Sequence, residues 1–392
     1  MEREENDLLE AIHSDALRVL EEVGVHCTSP EIRRIFEETG LACYDETTGH
    51  IHVLAPLVEQ ALNETPKRDQ YWIPENAFGV GGTAPFVHDD ETGELIEPAL
   101  EHVARIAKIV DQADVVEFMA RGVLIRNQEV KVIDTLAANC RKPLYVATLT
   151  DAGIARAREV HESRGNLTIQ FSIVNSPLSV IESMVDPFLA CVRAGLPLYV
   201  SSMPMAGLSA PYSMSGLLTL THAEGLFGIT LAQLVNPGLM VVHAGLPSIA
   251  NIHKSYAVDL GLVSHNVANL LQEKLNKRLG IPSIQTACTT SEEHPNGRAE
   301  ADGKMGFAMM KKHGFHQMRH AFGFLKELIS FSIGKLERHV ELCRETTAEE
   351  CPALDLDPYD PEGFDVIQRN GSQPNYMRDD HTLKNVGKAF LN

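Results

Sequence analysis

Residues Leu196–Tyr212, LPLYVSSMPMAGLSAPY, hold the pattern that decides the fold of this chain. An apolar strand runs directly into a loop of Gly, Pro and Ser residues, and this loop is too apolar for an ordinary surface connection. The same order recurs in Leu167–Leu178, Gly238–Pro247 and Pro282–Glu292, each time before a helical pattern. Repeated strand, loop and helix units are typical of an α/β protein of the (β/α)8, or TIM, barrel type, whose active site lies at the C-terminal ends of the strands.

The N-terminal region predicts two helices outside the barrel. Apolar residues recur at helical spacing over residues 6–23 and stop at Gly24, a residue that commonly ends a helix. Ser29 followed by Pro30 then predicts the start of a second helix, because Ser is a favoured N-cap and Pro is favoured at the first helical position.

A cap and a barrel are the two predicted regions. A short strand over residues 50–53 and a third helix over residues 56–63 complete the cap, and Gly-Gly and Glu-Thr-Gly turns predict a hairpin over residues 79–97. We therefore expect an N-terminal α/β cap over residues 1–99 and a (β/α)8 barrel over residues 100–392.

Seven barrel strands can be placed from apolar segments that run into polar loops. They lie near residues 115–123, 144–148, 168–174, 198–203, 239–243, 283–287 and 316–321. The eighth is hard to place, because a helical pattern over residues 325–345 intervenes before the next candidate, 364–368.

Composition excludes several classes of protein. The net charge of −19 and a pI near 5.3 oppose binding to nucleic acid or to an anionic membrane. No apolar run reaches the ~18 to 20 residues of a membrane helix, and the charged N-terminus does not resemble a secretory signal. Seven dispersed cysteines without a CxxC pair suit reduced thiols, so we expect a cytoplasmic protein. The motifs GxGxxG after a strand, GxxxxGK[ST], GxSxG and HExxH are all missing.

Polar residues at the predicted strand ends are the candidates for a site. They could converge over one barrel mouth, because each follows a strand: Asn175-Ser176, Tyr212-Ser213, His243, Ser291-Glu292-Glu293 and His320. Any one of them could equally cap the next helix or satisfy loop backbone.

Glu224 and a possible metal site leave two further alternatives open. Glu224 lies in an apolar helical pattern, where a carboxylate is either part of a buried hydrogen-bond network or favoured by the helix dipole. His243, Cys288 and His320 could together bind zinc, although a cysteine on a strand is usually a small core residue.

Five blocks in one order carry a resemblance to a known family. Together they span nearly the whole chain, so the chain resembles the trimethylamine methyltransferase (MttB-like) superfamily. The blocks are HSDALRVLEEVGV (13–25), GGTAPFVHDDETGE (81–94), MPMAGLSAPYSMSGLLTLTHAE (203–224), SEEHPNGRAEADG (291–303) and RNGSQPNYMRDDHTL (369–383).

The resemblance implies a reaction and a partner. Members of this family are (β/α)8 barrels that pass a methyl group from a methylated amine to the cobalt(I) of a separate corrinoid protein. This chain contains only ordinary residues, which implies the non-pyrrolysine branch, whose substrates include glycine betaine. The implied cofactor is therefore a corrinoid (cobalamin) carried by the partner, and no bound metal is expected. We also expect a homo-oligomer.

The resemblance also implies roles for individual residues. We expect Glu292, His320 and His381 to be catalytic, with Glu292 pairing with the cationic amine and the two histidines orienting a substrate carboxylate. The side chains expected to bind substrate are Tyr212, His243, Asn375, Tyr376 and Glu224, and the two tyrosines would offer aromatic faces to the methyl groups.

Two other functions stay open. Gln373-Pro374-Asn375 stands where the family commonly has Gly-Gly-His, so a binding homologue without activity is one alternative. A zinc-dependent methyltransferase with a thiol acceptor, which would use the possible zinc ligands, is the other.

Overall fold

The computed structural model describes residues 2–251, 257–354 and 357–386. Within them, eight parallel strands pair in the order β6-β5-β4-β3-β2-β1-β8-β7, and a bridge between His243 and Ser283 joins the two ends of the sheet. The predicted (β/α)8 barrel is therefore confirmed. Its strands are β1 (Ala77–Val80), β2 (Phe118–Met119), β3 (Leu144–Val146), β4 (Leu167–Phe171), β5 (Leu198–Val200), β6 (Val241–His243), β7 (Ile284–Thr286) and β8 (Gln317–Arg319).

Each barrel strand is followed along the chain by a helix. Three helices precede the barrel: α1 (Glu2–Arg18, extended by a π turn over Val19–Val23), α2 (Pro30–Glu37) and α3 (Ala55–Glu64). The barrel helices are α4 (Leu100–Gln112), α5 (Glu129–Asn139), α6 (Asp151–Arg164), α7 (Glu182–Arg193), α8 (Met214–Val235), α9 (Val263–Arg278), α10 (Gly297–His313) and α11 (Ile333–Glu345), and α12 (Gly363–Asn370) and α13 (Asp380–Asn385) come after them.

The strand that was hard to place lies at the start of the barrel. Residues 364–368, the remaining candidate from sequence, belong to helix α12, and the barrel sheet takes in β1 upstream of residue 100. The predicted hairpin over residues 79–97 is therefore half right, because Phe86–His88 does pair antiparallel with Leu95–Ile96. Gly79 indicated a turn, but its role is close packing: a Cβ atom there would lie 2.3 Å from the ring of Phe118.

The first N-terminal helical segment ends, and the second helix begins, as predicted. Gly24 ends the first helical segment with φ of 75°. Ser29 is the N-cap of α2, since its Oγ accepts a hydrogen bond from the Ile32 amide at 3.3 Å. Helices α1, α2 and α3 all pack against α8, which is buried over nearly its whole length.

The cap also holds one loop of the barrel mouth in place. The loop after β4 contributes Val174–Asn175 and Ser179–Val180 to a five-stranded sheet whose other strands are Val25–His26, His50–Val53 and Ala42–Asp45. His26 pairs in parallel with Ser179. The loop after β4 is consequently held by both the cap and the barrel.

Aromatic rings and hydrogen-bonded hydroxyl groups fill the barrel interior. The hydroxyl of Tyr71 bonds to Tyr145 at 2.9 Å and to Thr168 at 2.7 Å, and Tyr145 donates to Gln317 at 2.5 Å. The ring of Tyr199 lies 5.5 Å from that of Tyr145, on the side of the strand C-terminal ends. The interior is thus packed with side chains, and Tyr199 also lines a cavity at the strand C-terminal ends.

Two expectations from composition, on membrane helices and on cysteines, can be compared with the structure. Of the helices in the described residues, none combines the length and the apolar character that a bilayer span requires. All seven cysteines lie within those residues, and none forms a disulfide.

Candidate active site

A cavity of about 280 Å³ opens at the C-terminal ends of β4, β5, β6 and β8. Its position is that of the active site in a (β/α)8 barrel, and its size suits a small ligand. Serine and asparagine side chains, one tyrosine ring and one guanidinium group make up most of its polar wall. The lining residues are Ser172, Val174, Asn175, Ser176, Ile181, Tyr199, Ser201, Ser202, Met203, Leu246, Arg319 and His320.

Arg319 is the principal charged group of this mouth cavity. It is the last residue of β8 and points inward like Gln317, two positions earlier, because alternate residues of a strand face the same side. Its Nη2 donates to the carbonyl oxygen of Ala244 at 2.7 Å and lies 3.5 Å from Ser201 Oγ. The guanidinium carbon lies 5.2 Å from the centroid of the Tyr199 ring.

His320 stands beside Arg319 and is neutral. Arg319 Nε donates to Thr286 Oγ1 at 3.3 Å, and this hydroxyl lies 3.1 Å from His320 Nδ1. The threonine hydrogen is then free to go to Nδ1, which leaves the histidine hydrogen on Nε2. Burial, with Arg319 nearby, holds the pKa of His320 well below 6.5.

Two glycines at the end of β1 make room for this pair. A Cβ at Gly81 would lie 2.4 Å from Arg319 Cβ, and one at Gly82 would lie 2.6 Å from His320 Nε2. Gly82 also has φ of 69°, a conformation that other residues seldom adopt. The Gly-Gly pair therefore serves the barrel mouth, and not only a turn.

Glu224 lies directly behind the cavity wall. It is 1% exposed on α8 and accepts hydrogen bonds from Ser176 Oγ at 2.6 Å and from the Leu178 amide at 2.9 Å. Burial raises its pKa to about 7, and the hydrogen bonds act in the opposite direction. Of the two interpretations open from sequence, the buried network is the one observed.

Glu292 lies in a different cavity. This second space, of about 430 Å³, is lined mainly by the loops after β6 and β7, and its acidic groups are Asp259, Glu292 and Asp302. Glu292 Oε2 accepts a hydrogen bond from Asn296 at 2.7 Å. Glu292 and His320 are thus both at the C-terminal end of the barrel but do not share a cavity.

His243 faces away from the mouth. It follows the inward-facing Val242 on β6, so its ring points to the helix layer. A Cβ at Gly225 of α8 would lie 2.1 Å from His243 Nε2, which shows how closely the helix packs on this ring. Burial, and to a lesser degree Arg319, lowers the pKa of His243 to about 3.

The remaining predicted residues lie outside the mouth cavity. Tyr212 is buried against Gly207, and Tyr376 is fully buried with its hydroxyl donating to the Gly371 carbonyl at 3.2 Å. Asn375 is exposed. His381 is buried and its Nε2 lies 2.8 Å from a carboxylate oxygen of Asp360.

The structure does not bring most of the predicted set together in the mouth cavity. Of the eight residues expected to be catalytic or to bind substrate, His320 lines this cavity and Glu224 reaches its wall through Ser176. The strand-end candidates Asn175 and Ser176 also line it. The residue that was missed is Arg319. Strand alternation in Gln317-Met318-Arg319 was the available signal, because an inward Gln317 places Arg319 inward as well.

The three proposed zinc ligands point to different neighbours. His243 packs on α8, His320 bonds to Thr286, and Cys288 lies against Gly306 of α10. Within the described part of the chain, no group of three or more His, Cys, Asp or Glu side chains is arranged to hold a metal ion.

A (β/α)8 barrel with a small polar cavity at the C-terminal ends of its strands is typical of an enzyme. The sequence profile described as "Trimethylamine methyltransferase (MTTB)" matches residues 1–392, so the chain belongs to that family of methyltransferases. Trimethylamine methyltransferase MttB1 of Methanosarcina acetivorans is 27% identical over 364 residues, which cover 84% of this chain and 72% of the relative. Glycine betaine methyltransferase of Desulfitobacterium hafniense is 22% identical over 411 residues, which cover 98% and 84%.

Solved structures agree with the barrel. The hydroxylamine complex of MtmB aligns with a TM-score of 0.54 at 11% identity, covering 95% of this chain and 79% of that one. The monomethylamine methyltransferase MtmB of Methanosarcina barkeri aligns with a TM-score of 0.50 at 11% identity, covering 98% and 84%. At this identity the likeness concerns the fold.

Proposed function

We propose that this protein transfers a methyl group from a small quaternary amine of the glycine betaine type to the cobalt(I) of a corrinoid carried by a separate protein. The observation that carries the proposal is the small polar cavity at the barrel mouth of a chain that belongs to the trimethylamine methyltransferase family. In this reaction the methyl carbon forms a bond to the acceptor, its bond to nitrogen breaks, and the electron pair stays on a neutral tertiary amine.

The protein contributes binding, orientation and exclusion of water. The Tyr199 ring offers an aromatic face to a quaternary nitrogen, an attraction of about 0.5–2 kcal/mol. No carboxylate lines the mouth cavity among the described residues, so Glu224 behind Ser176 is the acidic group next to its wall. The role predicted for Glu292 as the partner of the amine accordingly passes to Tyr199 and Glu224 in this proposal.

Exposed apolar side chains around the mouth suit the approach of a partner. Leu149 follows β3 and is 46% exposed, and Met203 follows β5, lines the cavity and is 37% exposed. Phe86 and Ile329, in the loops after β1 and β8, are exposed to a similar degree. Apolar residues gathered at the open end of the barrel favour a protein that brings the methyl acceptor to the cavity from above.

Methyl transfer to free cob(I)alamin tests the proposal directly. Purified protein is incubated with cob(I)alamin and a panel of betaines, and methylcobalamin is followed by its visible absorption. Glycine betaine or a close homologue should react, while dimethylglycine, whose leaving group would be a poorer one, should not. Silence across the whole panel would count against the reaction, and tight binding of a betaine without transfer would instead identify a binding homologue.

A further inference from the structure

Arg319 is a buried cation without an anionic partner among the described residues. It is 3% exposed, and its hydrogen bonds go to a carbonyl oxygen and to the hydroxyl groups of Thr286 and Ser201. Among the described residues, no carboxylate lies within ion-pair distance of it. These bonds use Nε and both hydrogens of Nη2, so the two N–H groups of Nη1 remain available, and the residue lines the mouth cavity.

A buried charge of this kind needs a reason, because an unpaired ion in the interior is costly. The remaining N–H groups of Nη1 can donate charge-assisted hydrogen bonds to a carboxylate, which are about twice as strong as hydrogen bonds between neutral groups. Neutral acceptors on β6 and β7 hold the guanidinium in place, which lowers the entropy cost of binding an anion there.

A second arginine adds positive charge near Tyr199, and Glu129 is the carboxylate that acts on this arginine. Arg121 follows β2, and its Nε is buried without a hydrogen-bond partner in the described part of the chain. Both arginines are close enough to Tyr199 to act on the pKa of its hydroxyl, which burial raises and they lower. Two cations beside this ring oppose the binding of a ligand that is only a cation, and a zwitterion offsets them with its own anionic end.

We infer that Arg319 is the carboxylate-binding residue of the mouth cavity and that it selects amines that carry a carboxylate over simple quaternary cations. This inference rests on the proposed methyl-transfer function and names the substrate class within it. The histidines expected to orient a carboxylate do not take this part, since His381 pairs with Asp360 and His320 is neutral.

Ligands that separate the two charges test the inference on the unaltered protein. Glycine betaine carries both charges, tert-butylacetate keeps its shape and carboxylate without the cation, and choline keeps the cation without the carboxylate. Calorimetry should show tert-butylacetate competing with glycine betaine and choline binding at least tenfold more weakly than glycine betaine. Choline binding as tightly as glycine betaine, with no competition by tert-butylacetate, would overturn the inference.

Variants then assign the effect to Arg319. Arg319→Gln should weaken glycine betaine binding by about 10- to 100-fold, the value of hydrogen bonds to a charged group, and should leave choline binding unchanged or tighter. Arg298→Gln is the matched control, because Arg298 is a largely exposed arginine at the same end of the barrel but in the second cavity. It should leave both affinities unchanged.

A purely structural role for Arg319 makes a different prediction. If the residue only ties β8 to β6, Arg319→Gln will weaken glycine betaine and choline binding equally, and this result would refute the inference. Arg319→Lys retains the charge but not the planar guanidinium, and it replaces the glutamine variant in this test if that variant does not fold. The lysine variant should bind glycine betaine more weakly than the unaltered protein does, and choline equally well.

The inference and the proposed function can fail separately. Selective binding of carboxylate-bearing ligands with no methyl transfer to cob(I)alamin would support the role of Arg319 and refute the reaction. Equal rates of methyl transfer from glycine betaine and choline would support the reaction and refute the selection by Arg319.

Discussion

The hydroxyl of Ser176 donates a 2.6 Å hydrogen bond to Oε2 of Glu224 and at the same time lines the mouth cavity. One side chain thus connects a solvent-accessible ligand site to a carboxyl group that is almost completely buried on α8. Because burial raises the pKa of Glu224 to about 7, this carboxyl group changes charge near neutral pH.

Glu224 should make the protein less stable as the pH rises. Its pKa is about 7 in the folded protein and 4.5 ordinarily, so the folded state holds a proton that the unfolded chain releases. The stabilisation is fully present below pH 4.5 and is lost as the pH rises through 7, a loss of about 3 kcal/mol. Denaturant unfolding of the native protein and of Glu224→Gln between pH 4.5 and 8 measures it. The variant should show a flatter dependence on pH, and identical slopes would contradict the assigned pKa.

A buried ion pair at the N-terminal end of the barrel should contribute stability and not activity. Arg68 Nη2 donates to Glu273 Oε1 at 2.8 Å, and Glu273 also bonds to Ser283 and to the His316 amide. Glu273→Ala should lower the free energy of unfolding by about 3–5 kcal/mol, because it removes the buried one of the two carboxylates that pair with Arg68 and also leaves the Ser283 hydroxyl and the His316 amide without their acceptor. Glu75→Ala is the matched control, since Glu75 pairs with the same arginine but is 48% exposed, and it should cost about 0–1 kcal/mol.

The kinetics of the Glu273 variant decide where its role lies. Below its melting temperature, Glu273→Ala should retain the KM of the native protein, since the N-terminal end of a (β/α)8 barrel serves stability. A KM that rises several-fold in a fully folded variant would contradict that assignment.

A methyl group at position 81 should disturb the mouth. In Gly81→Ala the new Cβ would lie 2.4 Å from Arg319 Cβ, so β1 and β8 must move apart. We expect a loss of about 1–3 kcal/mol in stability together with weaker glycine betaine binding. Gly297→Ala is the control, because nothing lies within 4 Å of the Cβ added there. Thermal unfolding measures the stability of both variants, and calorimetry measures their affinity for glycine betaine. If Gly81→Ala is destabilised but binds glycine betaine as tightly as the native protein, position 81 does not shape the ligand site.

The apolar surface at the mouth should matter only for a protein acceptor. Leu149→Asp should slow methyl transfer to the corrinoid protein by at least tenfold, because a charge on this surface opposes docking. Transfer to free cob(I)alamin should be unchanged. Leu383→Asp is the control, since Leu383 lies on α13 and is 61% exposed. Equal effects of Leu149→Asp on both acceptors would place Leu149 in the chemistry and not in docking.

Local patterns in the sequence were sufficient for most of the barrel. Strands β2 to β8 fall on or overlap the predicted apolar segments, because each strand must be apolar to be buried and must end in a turn at the mouth. The start of α2 at Ser29 and Pro30 was equally readable, since an N-cap is a contact between residues three apart. Strand β1 was missed because glycines such as Gly79 and Gly81 are typical of turns. In the structure, the side chains of Phe118 and Arg319 lie where a Cβ atom at these positions would be.

The composition of the site was decided by the tertiary structure. The sequence by itself determined that polar residues would stand at the strand ends, and among them His320 was predicted correctly to lie at the mouth. It could not show that Glu292 and His320 open into separate cavities, because that depends on how the loops after β6 and β7 fold over the barrel. Closure of the sheet brings Arg319 across to Ser201 and Ala244, residues 118 and 75 positions away in the chain. Contacts at such separations arise only when all eight strands are paired, because no local pattern encodes which strands meet across a barrel.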